Sequence, residues 1–298
     1  MWVPPPALLD DQAGIEPESH FQKLRRNHAP LAMRSYTSMR SRDEADRWDI
    51  PPEAFKSDLE MPADEQDLPG GRDVGIFLHE VIEKVPMRSF AESPDLISWR
   101  KRDEIVRLFR AVMHRHQIKN PWFERGTEAV FNTLTTALAI DGGRIVGPLY
   151  QLRSVREMEF VYPIPESSHP LLSAAAHGAW TVERGYLKGF VDFVFEHDGV
   201  VYFADWKSDQ LPSYEPGALQ DHVRLHYEVQ ARIYSIGVIR LLQIRDRDDY
   251  ERRFGGLLYL FLRGIDCGGR RGVYFRRPPW DEICLYETGL MEMAGRPE

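Results

Sequence analysis

Cysteine is scarce in this sequence, with two residues among 298, Cys267 and Cys284. Neither has a cysteine or histidine partner at metal-ligand spacing, which argues against a disulfide framework and a structural zinc site. Long apolar runs are also lacking, and the N-terminal segment MWVPPPALLDDQAG has no basic region followed by an apolar stretch. We therefore expect a cytoplasmic protein with no membrane segment.

An excess of positive charge is missing as well. The chain has 38 Lys and Arg against 46 Asp and Glu, a net charge of −8, which argues against a protein that coats nucleic acid by charge alone. This balance does not exclude a nuclease, because carboxylates at a catalytic site and acidic loops can outnumber a local basic channel. Basic clusters occur at residues 100–102 and 270–277, and a solvated surface explains them more simply than a phosphate track does.

The stretch from Gly185 to Ser208, GYLKGFVDFVFEHDGVVYFADWKS, predicts two β-strands joined by a tight turn. Aromatic and β-branched residues dominate both arms. The Asp198-Gly199 pair between them is typical of a type I′ hairpin turn, which needs positive φ at both central residues. If these two residues form the loop, His197 pairs with Val200, and the register of the whole hairpin follows.

This register places two acidic side chains, Asp192 and Asp205, directly opposite each other. Lys207 is two residues beyond Asp205 and shares its face. Opposed like charges destabilise a sheet, and burial among apolar neighbours adds to the cost, so the pattern favours a bound cation. Oxygen ligands without a Cys or His cluster nearby favour Mg²⁺ or Mn²⁺ over Zn²⁺. A surface hairpin with scattered charges is the simpler alternative.

Two other elements carry side chains that could reach this cation. The segment GIFLHEVIEKV repeats apolar residues at helical spacing and presents His79 on one face. The segment SVREMEFVYPI alternates like a strand, with Glu157 and Glu159 on the same face. A lone helical histidine is often an ordinary packed residue, and an edge strand with an outward acidic face explains the two glutamates equally well.

After the hairpin, HVRLHYEVQARIYSIGVIRLLQI predicts one long helix in which Tyr227, Gln230 and Tyr234 lie along adjacent faces. The tyrosines could simply belong to a core stripe. A glutamine within such a stripe needs hydrogen-bond partners, which favours a specific role for Gln230.

The wider pattern predicts one main domain. Residues 1–30 are rich in Pro, Asp and Gln and are expected to be a linker or N-terminal arm. Residues 31–298 are expected to form an α/β domain with a central mixed β-sheet flanked by helices, including a helical cover at about 90–140. The site is expected at the edge of the sheet that faces the His79 helix.

Taken together, the motifs resemble those of the RecB-type nuclease domains in the PD-(D/E)XK superfamily, the family of RecB and AddA exonucleases. The resemblance begins at about residue 31, and its main segments are GIFLHEVIE, REMEF, GFVDFVFEHDG, YFADWKSD and YEVQARIYSIGVIRLL. The series departs from many relatives in two places, since Asp192 follows Val191 and not a proline, and Asp205 stands where glutamate is common. The resemblance implies a restriction-endonuclease-like core.

The resemblance also implies a Mg²⁺-dependent exodeoxyribonuclease, with Mn²⁺ as a substitute ion. In that case His79, Asp192 and Asp205 would bind the ion, with Glu157 or Glu159 as a further ligand. Catalytic residues would be Asp192, Asp205 and Lys207, the last orienting or deprotonating the attacking water. Gln230 and Tyr234 would support the site and the DNA strand.

RecB-type domains are normally the tail of a helicase in a heterotrimer that processes DNA ends for repair and recombination. This sequence has no Gly-x-x-x-x-Gly-Lys-Ser/Thr loop, so a helicase domain, or subunits similar to RecC and RecD, would act as partners. The expected substrate is single-stranded or unwound DNA. Two alternatives stay open: a catalytically degenerate scaffold that binds a partner or DNA, and a nuclease acting on RNA or a DNA junction, because the motif residues contact phosphate and metal rather than base edges.

Overall fold

The computed structural model describes residues 32–35, 68–164 and 185–285. The predicted arm at residues 1–30 lies outside them. The main α-helices are α1 (Arg72–Lys84), α2 (Arg88–Ala91), α3 (Leu96–Arg100), α4 (Asp103–Arg115), α5 (Phe123–Thr135), α6 (Pro216–His226), α7 (Glu228–Leu241) and α8 (Arg247–Arg253). The strands are β1 (Ala32–Ser35), β2 (Leu138–Ala139), β3 (Ile145–Val146), β4 (Arg153–Ile164), β5 (Gly185–His197), β6 (Val200–Lys207), β7 (Phe254–Phe261) and β8 (Val273–Arg276).

A six-stranded mixed sheet forms the centre, in the order β1–β5–β6–β7–β8, with β4 also paired to β5. The pairs β4–β5, β5–β6 and β7–β8, each formed by strands consecutive in the chain, are antiparallel. The pairs β1–β5 and β6–β7 are parallel, and a parallel pair needs a long crossover, which α6, α7 and α8 supply between β6 and β7. The predicted restriction-endonuclease-like α/β fold, a mixed sheet flanked by helices, is confirmed.

The β5–β6 hairpin has the predicted turn. His197 pairs with Val200, and the two residues between them, Asp198 and Gly199, have φ angles of 51° and 77°. Positive φ at both positions is the type I′ geometry that matches the right-handed twist of the flanking strands. The predicted register is therefore confirmed.

Helices cover both faces of the sheet, because side chains of the central strands alternate between two cores. Trp206 of β6 packs in a first core with α1, α4 and α5, while Phe203 packs in a second core with α6, α7 and α8. Strand β7 is buried along its whole length, which explains its uninterrupted apolar sequence. In the part of the chain that the structure describes, no helix is long and apolar enough to cross a bilayer.

The predicted long helix after the hairpin is two helices. Tyr227 separates α6 from α7 with φ −127° and ψ 1°, outside the helical range. Two glycines let α7 lie close to the sheet. The Phe160 ring of β4 packs against Gly189 of β5 and Gly237 of α7, where an added Cβ would clash with the ring or crowd it. The break at Tyr227 and the close approach of α7 together set the position of the α7 residues over the end of β6.

Candidate active site

The two opposed aspartates lie where the paired part of the hairpin ends. The backbone ladder runs to the pair Phe193–Ala204, and the same register brings Asp192 and Asp205 opposite each other next. Here the Trp206 amide donates to Asp192 Oδ2 at 2.7 Å. The aspartates are 8% and 4% exposed. The end of the hairpin therefore holds two buried carboxylates side by side.

Lys207 and Gln230 hold the Asp205 carboxylate. Lys207 Nζ lies 2.5 Å from Asp205 Oδ2 and donates to Gln230 Oε1 at 2.8 Å. The Gln230 amide nitrogen donates to the other Asp205 oxygen at 3.1 Å. Burial raises the pKa of Asp205 to about 6, although the Lys207 ammonium opposes this shift; the charge of Asp192 adds to it. Gln230 thus has the polar partners that its buried position requires.

Helix α1 brings His79 to the same place. Its Nε2 lies 2.9 Å from the Trp206 carbonyl, and its Nδ1 lies 3.5 Å from Asp192 Oδ2. Burial alone would lower the pKa of His79, but the charge and hydrogen bond of Asp192, together with the charge of Asp205, raise it to about 9. In the protein alone, an imidazolium and an ammonium therefore balance the carboxylates.

Glu157 joins the cluster through an unusual backbone conformation. The β4–β5 register passes from Arg156–Phe193 to Met158–Val191, so Glu157 stands level with Asp192, and its φ is 51°. A non-glycine residue at positive φ is strained, and such strain often occurs at functional sites. Burial, then the charge of Asp192, raises the pKa of Glu157 to about 7.

The two candidate glutamates on β4 have different surroundings. Ligand atoms of His79, Glu157 and Asp192 all lie within 4.8 Å of one another. Glu159 is exposed and pairs with Lys188 at 2.8 Å. Of the two, Glu157 joins the group around His79 and Asp192, and its positive φ departs from the regular strand geometry on which the predicted alternation depends.

Tyr234 packs in the second core at the wall of the site. It is buried, and its ring meets Phe160 edge-on with centroids 5.2 Å apart. Tyr234 lines the same cleft as Gln230 and the acidic cluster. The structure therefore brings all the predicted site residues to one cleft except Glu159.

The cleft has a volume of about 760 Å³ and is open on one side. Its floor is the end of the β5–β6 hairpin, and α1 forms one wall with Arg72 and Ile76 beside His79. Ile76 is partly exposed there. The opening gives an extended chain access to the carboxylates.

Arg156 secures the end of α1 that follows His79. Its guanidinium donates to the carbonyls of Ile82 and Val85 at 3.0 and 2.9 Å, and cations near a helix C-terminus are favourable. Burial lowers the pKa of Arg156, with the charge of Glu83 opposing. Since Arg156 is the neighbour of Glu157, the contact ties the helix that carries His79 to the strand that carries Glu157.

Arg263 performs a similar role at the start of α1. It donates to the carbonyls of Ser208 at 2.7 Å and Pro69 at 2.5 Å, and also to that of Leu68. Ser208 follows β6, while Leu68 and Pro69 precede α1. Sequence reasoning missed both arginines, because each joins segments that lie far apart in the chain and no local pattern marks such a contact.

Comparison of the sequence with known protein families identifies a match. Residues 54–283 match the family model of the PD-(D/E)XK nuclease superfamily. The chain belongs to this superfamily.

Curated relatives of this PD-(D/E)XK chain include three bacterial proteins named RecBCD enzyme subunit RecB. The Escherichia coli K12 protein is 29% identical over 286 residues, covering 87% of this chain and 23% of the relative. The Borreliella burgdorferi protein is 26% identical, covering 75% and 20%, and the Haemophilus influenzae protein is 28% identical, covering 71% and 18%. The chain spans about a fifth of the length of these relatives.

The PD-(D/E)XK site has a donor set that fits a divalent ion. Ligand atoms of Glu157 and Asp192 meet the His79 imidazole within 4.8 Å, and Asp205 lines the same cleft. Burial is the main cause of the raised pKa values of Glu157 and Asp205, and the charge of Asp192 adds to both. Hard oxygen ligands of this kind suit Mg²⁺ or Mn²⁺. Within the described residues, both cysteines stand apart from this set.

Proposed function

We propose that the chain is a metal-dependent deoxyribonuclease that hydrolyses phosphodiester bonds of single-stranded or unwound DNA. The observation that supports this most strongly is the cleft that His79, Glu157, Asp192 and Asp205 line beside the Lys207 ammonium, at the end of one hairpin. Membership of the nuclease superfamily supports the same conclusion. Exonuclease activity of the exodeoxyribonuclease V type is the specific form that we propose.

In this proposal His79, Glu157, Asp192 and Asp205 hold the divalent ion, Mg²⁺ with Mn²⁺ as a substitute. A bound ion of this kind neutralises charge on the phosphoryl oxygens and lowers the pKa of water. To act as a ligand, the His79 nitrogen must lose its proton, and so must any carboxyl group that carries one. The raised pKa values therefore make ion binding compete with protons.

The remaining site residues act on the water and the strand. Lys207 is held by Asp205 and Gln230, so its ammonium can orient the attacking water and stabilise the negative charge that develops as the water loses its proton. The side-chain amide of Gln230 accepts from Lys207 and donates to Asp205, which fixes the two groups relative to each other. Tyr234 forms the wall against which the strand and the site are supported.

We further propose that the chain serves as the nuclease part of a RecBCD-type repair and recombination machine in the cytoplasm. The relatives are subunits of RecBCD enzymes by name. Because this sequence lacks a P-loop motif, the proposed partners are a helicase domain, or subunits similar to RecC and RecD. The proposed domain is residues 31–298 with residues 90–140 as a helical cover; β1, which pairs with β5, supports the early start.

Degradation of end-labelled single-stranded DNA with and without Mg²⁺ tests the proposal. We expect Mg²⁺-dependent cleavage by the unaltered chain and strongly reduced cleavage by Asp205→Ala and Lys207→Ala. Glu157→Ala and Glu159→Ala form a matched pair: the first should impair cleavage and the second should not. Duplex DNA, junctions and RNA in parallel assays establish the substrate. An unaltered chain as inactive as the variants would contradict the proposal and favour a degenerate scaffold.

A further inference from the structure

We propose that Tyr227 and Tyr259 form an aromatic clamp that positions the Lys207 ammonium against Asp205, and that Asp209 holds the Tyr227 ring in place. The catalytic role of the clamp rests on the proposed nuclease function, whereas its geometry is given by the contacts of Lys207. It makes the two tyrosines and Asp209 positioning residues, acting through Lys207.

The two rings enclose the ammonium group. Lys207 Nζ lies 4.0 Å from the centroid of the Tyr227 ring and 4.7 Å from that of the Tyr259 ring. The ring centroids are 5.6 Å apart with an interplanar angle of 49°. A cation within about 6 Å of an aromatic face is attracted to it. Two rings, one carboxylate and one amide oxygen therefore contact the ammonium, which still lines the open cleft.

A lysine needs such a clamp to act from a fixed point. Its four-carbon stem has many rotamers, and its ammonium is a point charge without the rigid fork of arginine. Lys207 is 8% exposed, so most of its side chain is already shielded from bulk water. A group that stabilises a charge in the transition state works best when its position is set before the reaction begins.

The Tyr227 ring is held by a hydrogen bond from its hydroxyl group. Its hydroxyl donates to Asp209 Oδ1 at 2.7 Å, and His222 Nε2 lies 3.3 Å from the same oxygen. Burial alone would raise the pKa of Asp209, but the hydrogen bonds of His222 and Tyr227 lower it, which keeps Asp209 an ionised acceptor. Asp209 is two residues beyond Lys207, so one short segment carries both the ammonium and the anchor of the ring that covers it.

The Tyr259 ring is held by burial in the sheet and by its hydroxyl contacts. It is fully buried in β7, and its hydroxyl is 3.3 Å from the Tyr227 carbonyl and 3.4 Å from Gln230 Oε1. The same carbonyl accepts the first hydrogen bond of α7, from the Ala231 amide at 2.9 Å. The start of α7, which plain helix periodicity does not predict, thus lies beside Tyr259 and carries the Tyr227 ring.

The first test replaces the Tyr227 ring. We expect Tyr227→Leu to lower kcat by roughly ten- to a hundredfold, as a misplaced catalytic group does, while KM for single-stranded DNA and the Mg²⁺ half-saturation concentration stay the same. Tyr227→Phe keeps the ring and loses only the hydroxyl, so it should recover most of the loss. Asp209→Ala should give an intermediate fall in kcat. Tyr150→Leu, which removes a tyrosine packed against Phe90, is the matched control.

The second test needs no activity. Protons on the Lys207 ε-methylene should show ring-current shifts in the NMR spectrum of the full chain, and Tyr227→Leu should reduce them while Tyr227→Phe keeps them. Unshifted ε-protons in the unaltered chain would overturn the clamp. So would a kcat for Tyr227→Leu within about twofold of the unaltered value, or a loss confined to KM. If the unaltered chain cleaves nothing, the proposed function fails, and the NMR result still decides on the clamp.

Discussion

The two ends of the β5–β6 hairpin have the same strands and the same register but different chemistry. Near the turn, from Phe193–Ala204 to His197–Val200, the backbone ladder is complete. Beyond it, the Trp206 amide bonds to the Asp192 side chain, and the carboxylates gather. The difference shows that a regular, locally encoded hairpin can carry an electrostatically unfavourable site at one end, because contacts from α1, β4 and α7 support that end.

The largest effect is expected at the end of the hairpin that holds Asp192 and Asp205, which we call the site end. Lys207→Ala should lower the rate of DNA cleavage by roughly 10²- to 10³-fold, a magnitude typical of removing one charge-stabilising donor. The protein should stay folded, because Asp205 keeps its hydrogen bond from Gln230 when the lysine is shortened. Single-turnover cleavage measures the rate, and circular dichroism checks the fold. Cleavage within tenfold of the unaltered rate would assign the reaction to other residues.

The next effect concerns the support of the site end. Arg263→Ala should reduce the free energy of unfolding by roughly 2–4 kcal/mol, because three backbone carbonyls lose a charged donor. Urea denaturation measures the change. Arg271→Ala is the control, since its pair with Glu215 is exposed and should contribute at most about 1 kcal/mol. Equal effects of the two changes would show that Arg263 stabilises the fold no more than an exposed ion pair does.

The pH dependence of stability should also come from the site end. Asp205, Glu157 and His79 have pKa values raised to about 6, 7 and 9, so the folded state holds their protons more tightly than the unfolded state. Each contribution to stability is complete below the unfolded pKa of its group and is lost as pH rises through the folded value.

Without divalent ions, the loss of these contributions should therefore lower Tm between about pH 4 and pH 9. Saturating Mg²⁺ should raise Tm most at the alkaline end, where the carboxylates and His79 have lost their protons. Differential scanning calorimetry of the unaltered chain and Glu157→Gln measures both effects, and the variant should show the smaller fall. A Tm that Mg²⁺ leaves unchanged at every pH would contradict this prediction.

The smallest effect is expected at the turn end. Gly199→Ala should cost about 1 kcal/mol of stability, because alanine is strained at the φ of 77°. Cleavage of DNA should be unaffected, since the ladder between the turn and the aspartates is complete. Chemical denaturation and a cleavage assay on the same sample test the contrast. Lost activity at full stability would show that the two ends are coupled after all.

The local part of this molecule could be predicted from its sequence. The Asp198-Gly199 turn sets the hairpin register through backbone geometry alone, and the register puts Asp192 opposite Asp205. Gln230 could be named as a candidate, since a polar residue in an apolar helical stripe needs a partner, whereas His79 became one only through the family resemblance. The resemblance to a nuclease family brought these residues together before the structure did.

The remainder depends on contacts between distant segments. The choice between Glu157 and Glu159 follows from a left-handed backbone at Glu157, which residue alternation does not encode. Tyr259 stands within an uninterrupted apolar run, where nothing separates a clamp residue from a core residue. The helix break at Tyr227 has no proline or glycine to announce it, so its cause is tertiary packing.

Divalent-ion binding tests the central claim most directly. Isothermal titration of Mn²⁺ into the unaltered chain, Asp192→Ala and Glu159→Ala compares a proposed ligand with a carboxylate that pairs elsewhere. We predict that the unaltered chain and Glu159→Ala bind the ion and that Asp192→Ala does not. Equal binding by all three chains, or none by the unaltered chain, would contradict it.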